Sequence, residues 1–216
     1  MKTPNDRGRI LLINKPLHWT SFDVVNKLRY LLKTRKIGHA GTLDPLATGL
    51  LIVCVGKMTK RIDEFMGLEK EYTGKFVIGQ TTPSHDLETP VSATKDISHI
   101  KPSDIEQATK TFVGNIRQLP PQHSAIRIKG RRAYEYAREG REIALVERDV
   151  TVSVFDVLQI NLPEVSFRIV CSKGTYIRSL IRDVGSRLGV GAYLSELCRT
   201  RIGNFKLEDA TTLDQF

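Results

Sequence analysis

The stretch Gly38-His39-Ala40-Gly41-Thr42-Leu43-Asp44-Pro45-Leu46-Ala47-Thr48-Gly49 constrains the fold of this chain more than any other. Its three glycines among twelve residues allow backbone turns closed to other residues. Pro45 fixes its own φ and pushes Asp44 out of the helical region. The residues that follow, Leu50 to Val55, are all apolar and predict a buried strand. Asp44 is therefore expected on rigid, extended backbone just ahead of that strand, with His39 upstream of it. Asp-Pro is by itself a common turn opener. Turn chemistry alone leaves a structural and a catalytic role both open for this carboxylate.

Around that stretch, period and capping signals predict alternating short elements. Ile10 to Ile13 reads as a strand. Thr20 and Asp23 have capping-box spacing, and Val24, Val25, Leu28, Leu31 and Leu32 then share one helical face. The opposite face carries Lys27, Arg29 and Lys33, followed by Arg35 and Lys36. Those charges suit either a solvated face or a phosphate track. Thr59 to Phe65 reads as a short helix. Glu71 to Gln80 alternates with period two, Tyr72, Gly74, Phe76 and Ile78 on one side, and predicts a strand. Thr81 to Asp96 is polar and reads as a loop. Ser103 to Glu106 has a second capping-box spacing, opening a helix expected to run to about Gly114. Ala133 to Glu139 predicts a helix stopped by Gly140. Val150 to Ile160 and Val165 to Cys171 predict an antiparallel pair. Ile177, Leu180, Ile181, Val184 and Leu188 mark the buried face of a last helix ending at Gly189.

Lysine and arginine number 33 against 24 acidic residues, a formal charge of +9 that favours a polyanionic partner. The cysteines at 54, 171 and 198 are too dispersed for a structural zinc site or a disulfide framework, and they fit a reducing, cytoplasmic compartment. The polar N-terminus is followed by no apolar signal region, and no stretch of the sequence is apolar enough for a membrane span. Gly-rich phosphate loops, His-Glu-x-x-His and cysteine clusters are absent from the sequence, so neither a cofactor nor a metal is expected.

The twelve-residue stretch resembles the signature of the TruB family of RNA pseudouridine synthases, Gly-His-X-Gly-Thr/Ala-Leu-Asp-Pro-X-Ala-Thr-Gly. Further blocks carry the same resemblance. They are Asn14-Lys15-Pro16 after the first strand, Lys70 to Gly79 around Tyr72, and Pro120 to Arg138. Ser172-Lys173-Gly174-Thr175-Tyr176-Ile177-Arg178 and Gly191 to Thr200 complete them. Within the last block, Tyr193 and Cys198 depart from the histidine and arginine that many members carry. The resemblance spans about Arg9 to Phe216.

The resemblance implies a mixed α/β (α+β) pseudouridine synthase fold, a largely antiparallel central sheet flanked by helices and loops. It implies one catalytic domain over 1–216, an RNA-gripping insertion at about 119–140, and no C-terminal PUA domain. The implied activity is isomerisation of uridine 55 in the T loop of tRNA, by a monomer with no obligatory protein partner. Asp44 would be the catalytic aspartate, Arg178 the cation paired with it, and Tyr72 the aromatic that packs on the target base. His39, Tyr176 and Leu197 would contact substrate. Lys15 would brace the active-site loop or contact RNA. In the insertion, Arg127, Lys129, Arg131 and Arg132 would grip phosphates, as cations beside tyrosines are suited to do. Two other readings are an RNA-binding protein that has lost catalysis and a relative that depends on a guide RNA. A third, a hydrolase using Asp44 as nucleophile, would want a second acid near the site.

Overall fold

The computed structural model describes residues 8–124, 126–128, 130–141 and 143–216, apart from the side chain of Arg127. The fold is mixed α/β with a large, mostly antiparallel sheet. The chain divides into two compact units, one ending at Thr73 and resuming at Glu196–Phe216, the other spanning Gly74–Ser195.

The first unit is built on β3 (Ala47–Val55). β1 (Arg9–Lys15) pairs antiparallel with it, from Arg9 opposite Val55 to Lys15 opposite Gly49. β2 (Ile37–His39) pairs antiparallel with its far end. β12 (Ala192–Ile202) runs parallel to its start, Leu197 opposite Ala47 and Arg199 opposite Gly49. Leu51, Val53 and Val55 pack with Ile13, Val24, Val25, Leu28 and Ile37. Leu50, Ile52 and Cys54 pack with Ala40, Phe65 and Ile202. A strand covered on both faces needs apolar residues at every position, so the run read from sequence is continuous rather than alternating. The strand begins earlier than that run, because Ala47 to Gly49 pair with β12.

Helix α1 (Ser21–Leu31) starts where its capping box places it. The Asp23 amide donates to Thr20 Oγ1 at 3.0 Å, and the Thr20 amide donates to Asp23 Oδ2 at 2.8 Å. Its buried face is Ser21, Val24, Val25 and Leu28, whereas Leu31 and Leu32 are half-buried. The short helix expected at Thr59 to Phe65 is a 3-10 turn, Gly56–Arg61, leading into α2 (Ile62–Gly67).

β4 (Lys70–Ile78) buries Lys70, Tyr72, Phe76 and Ile78, the period-two pattern of its sequence. In the second unit, the stretch expected to be a loop holds a short pair, β5 (Gln80–Thr81) and β6 (Ala93–Thr94). Helix α3 covers Pro102–Lys110. Its cap is Lys101, whose amide donates to Asp104 Oδ2 at 2.8 Å. The cap lies upstream of the expected Ser103 because Pro102 is favoured at the first helical position. The helix also ends before the expected Gly114, which opens β7 (Gly114–Gln118) instead. The segment expected to be an insertion contains β8 (Arg127–Ile128), β9 (Arg131–Arg132) and α4 (Ala133–Arg138). β10 (Arg148–Asn161) pairs antiparallel with β11 (Glu164–Cys171), as the alternating patterns predict, and also with β7, which the sequence pattern did not indicate. Helix α5 (Ile177–Arg187) buries Ile177, Leu180, Ile181 and Val184. β13 (Phe205–Lys206) folds back on the end of β12, so the expected last strand at Arg199 to Phe205 is a hairpin.

Candidate functional site

In the first unit, the loop carrying Asp44 is fastened on both sides of that residue. The buried Ser21 hydroxyl accepts from the Leu43 amide at 2.8 Å and faces the Leu43 carbonyl at 3.2 Å. The Pro45 carbonyl accepts from the His18 amide at 2.8 Å and from Lys15 Nζ at 3.4 Å. The Asp44 carbonyl accepts from the Ala47 amide at 3.0 Å, closing the turn into β3. Asp44 itself is half-buried. A carboxylate whose two neighbours are pinned cannot drift, which is the geometric requirement for charge placed at a reacting atom.

Two buried cations sit around this loop. Lys15, at 0% exposure, directs its ammonium at the carbonyls of Pro16 (2.8 Å), Trp19 (2.6 Å) and Pro45 (3.4 Å). Burial pulls its pKa down to about 8, the Asp44 carboxylate pulls it back up, and Arg199 pushes it down further. The attraction is mutual, so the same ammonium stabilises negative charge on Asp44. Arg199, at 1% exposure, spreads its guanidinium over the carbonyls of Leu50 (2.8 Å), Gly41 (3.2 Å) and Thr42 (3.5 Å). A planar fork with several donors can tie three carbonyls at once, which an ammonium on a flexible stem does less well. Gly49 makes this approach possible. Its φ is +99°, and a Cβ there would lie 2.4 Å from the Arg199 carbonyl oxygen.

Of the residues singled out in sequence, His39, Asp44, Lys15, Tyr72 and Leu197 belong to this unit. His39 ends β2 opposite Val53 and is half-buried. Tyr72 is buried on β4, at 8% exposure. Leu197 is half-buried, and its carbonyl accepts from Thr48 Oγ1 at 3.4 Å, at the mouth of the Asp44 turn. The Lys15 ammonium is directed at backbone oxygens.

Arg178 and Tyr176 belong to the second unit. Arg178 is 3% exposed, not the surface residue that a helical arginine usually is. It donates to the carbonyls of Ser84 (3.2 Å) and His123 (2.9 Å), and its Nε lies 3.5 Å from Asp86 Oδ2. Asp86 is also buried, so the guanidinium and this carboxylate form a desolvated pair. Ser84 and Thr82 hold the turn, both hydroxyls donating to the Asp86 carbonyl, at 3.1 and 2.6 Å. Next to them His85 has its pKa lowered to about 4, by burial first and then by the cations Arg182 and Arg178. It is neutral at physiological pH. Tyr176 caps α5, fixed by Gln118 through bonds of 2.8 and 3.1 Å, and its ring lies under the Arg148 guanidinium at 5.4 Å.

Around α4, Arg131 pairs with Glu135 at 3.5 Å and with Glu139, and lies over the Tyr136 ring at 4.7 Å. Arg132 is half-buried on β9. Lys129 and the side chain of Arg127 lie outside the described residues. The Arg131 pairs are solvent-exposed and screened by water, so they add little to stability.

Arg199, Ser21 and Asp86 were not read as site residues from the sequence. The first sits in a quoted block with no role attached, and its burial is the feature that reveals it. Asp86 stands in a polar stretch with no periodic signal.

The model for "TruB family pseudouridylate synthase (N terminal domain)" matches residues 29–177, and that for "tRNA pseudouridylate synthase B C-terminal domain" matches residues 178–216. The chain is similar to a tRNA pseudouridine synthase B of Flavobacterium johnsoniae, 51% identical over 99% of this chain and 97% of that protein. It is 52% identical to one from Parabacteroides distasonis over 93% of this chain and 88% of that protein. Among solved structures it is similar to a chain of a Cbf5-Nop10-Gar1 complex, with a TM-score of 0.75, 34% identity, and coverage of 97% of this chain and 53% of that one. It therefore spans about half the length of that chain. A further solved pseudouridylate synthase, 15% identical with a TM-score of 0.51, shares the fold. The pinned aspartate, the two buried cations that hold its loop and these matches along the whole sequence agree: the chain belongs to the TruB family of pseudouridine synthases.

Proposed function

We propose that this chain isomerises uridine to pseudouridine in the T loop of tRNA, at the position conventionally numbered 55, acting as a monomer without an obligatory protein partner. The reaction breaks the bond from ribose C1′ to N1 of uracil and makes one from C1′ to C5. The C5 proton leaves and N1 gains a proton, so the composition of the nucleotide is unchanged. The target base has to leave its stack before any side chain reaches it. Asp44 supplies the negative charge or nucleophile at the sugar. Arg178 is the cation that pairs with that carboxylate. Tyr72 packs on the detached uracil and receives or relays the C5 proton. His39, Tyr176 and Leu197 shape the pocket for the extruded nucleotide, and Lys15 holds the loop. Arg127, Lys129, Arg131 and Arg132 grip the RNA backbone within the single catalytic domain.

The observation that carries this reading is the Asp44 loop, fastened at Leu43 and at Pro45 and flanked by two buried cations. Nothing in ordinary turn structure needs that investment around an Asp-Pro pair. The test is release of the C5 hydrogen from labelled tRNA by the purified chain and by Asp44→Asn. Release by wild type and none by the variant is expected. Equal release from both removes Asp44 from the chemistry. Release from neither, with tRNA still bound, leaves an RNA-binding protein.

A further inference from the structure

We propose that the end of helix α1 and the turn after it form a second RNA-contact surface, one that takes the phosphate backbone of the substrate outside the reacting loop. No aspartate or glutamate occurs between Asp23 and Asp44, and that interval contains Lys27, Arg29, Lys33, Arg35 and Lys36. Among the described residues, none of these five cations forms an ion pair. Arginines elsewhere do, including Arg61, Arg131, Arg138 and Arg201. The positive charge of this interval is thus left without a carboxylate partner among the described residues.

The shape agrees with the charge. A cavity of about 810 Å³ is lined by Asn26, Arg29, Tyr30, Lys33, Thr34 and Arg35. Tyr30 stands 79% exposed and Phe22 57% exposed, with the Arg29 guanidinium 5.5 Å from the Phe22 ring centroid. Lys33 adopts a left-handed backbone conformation, φ 48°, which turns the chain out of the helix so that Arg35 and Lys36 follow on the exposed side. The helix dipole favours cations at this end. It does not explain an aromatic ring kept in water among them, nor the absence of any carboxylate partner. Unpaired cations beside an exposed ring are the features by which a protein holds nucleic acid without reading its sequence.

The inference rests on the RNA-modifying reading above. Its test is the salt dependence of tRNA binding by the full chain, measured from 50 to 300 mM KCl. The variant is Lys33→Gln/Arg35→Gln/Lys36→Gln. A control of equal charge change is Lys95→Gln/Lys101→Gln/Lys110→Gln, at exposed sites that do not line the cavity. Each phosphate contact removed lowers the slope of log affinity against log salt by about 0.7 to 0.9. The surface variant is expected to lose about 2 from that slope and to bind at least tenfold more weakly at 100 mM, the control far less. A surface variant with the wild-type slope, or a control that loses as much, overturns the proposal. A wild type that binds tRNA but releases no C5 hydrogen sinks the enzymatic reading, and the slope comparison still judges this surface.

Discussion

Replacing Lys15 by methionine separates the two effects of a buried ammonium. The side chains are similar in length, so little cavity is left. Folded Lys15 releases its proton at about 8 rather than 10.5. At neutral pH that difference costs the folded state about 3 kcal/mol. Methionine removes this cost, but it leaves the Pro16 and Trp19 carbonyls without their donor, at about 1 to 3 kcal/mol each. The two effects largely offset each other, so Lys15→Met should change stability at pH 7 by no more than about 3 kcal/mol. They stop cancelling at higher pH. Between about 8 and 10.5 the unfolded chain keeps the proton that the folded chain has lost, so wild-type stability rises with pH across that window. The methionine variant lacks this gain. Urea unfolding at pH 7 and at pH 9.5 should therefore show the variant falling behind by about 2 kcal/mol. Activity behaves differently. The ammonium supports the charge on Asp44 and holds Pro45, and losing both should lower single-turnover C5 release about 10- to 100-fold at pH 7. Wild-type activity should decline as pH rises through about 8, and the variant should lack that decline. A stability gap that is the same at both pH values, or a variant that keeps the decline near pH 8, refutes the reasoning.

Two further outcomes follow from the same loop. Arg199→Met removes the cation that pushes the Lys15 pKa down, so the alkaline decline in activity should move above 8; Arg199→Lys keeps the charge, cannot span three carbonyls and should still slow single-turnover release at least tenfold. Gly49→Ala places a Cβ 2.4 Å from a backbone oxygen at φ +99°, and should destabilise the fold by about 3 kcal/mol or more in denaturant titration.

Much of this molecule was legible in its sequence because local chemistry decided it. The capping box at Thr20 and Asp23, the period-two pattern around Tyr72 and the hairpin of β10 and β11 all depend on neighbours a few residues apart. The unbroken run Leu50 to Val55 declared a strand covered on both faces. The second helix cap was misplaced because Pro102 allowed an earlier start than the Ser103 spacing suggested. The twelve-residue stretch singled out Asp44 through its family resemblance, while its glycines and Pro45 indicated where the backbone would turn. What the sequence could not state was which charges would be buried. Lys15 and Arg199 look like surface cations in a basic chain, and Arg199 stands 149 positions along the chain from the Leu50 carbonyl it holds. The burial of Arg199 follows from the parallel pairing of β12 with the start of β3, and that of Lys15 from the antiparallel pairing of β1 with the same end of β3, long-range contacts with no local signature. Asp86 beside Arg178 is a meeting of the same kind, 92 positions apart in numbering. Residue type determined where the chain could turn and pair. Only the packed structure decided which ammonium and guanidinium groups lost their water, and that loss is what ties them to the loop.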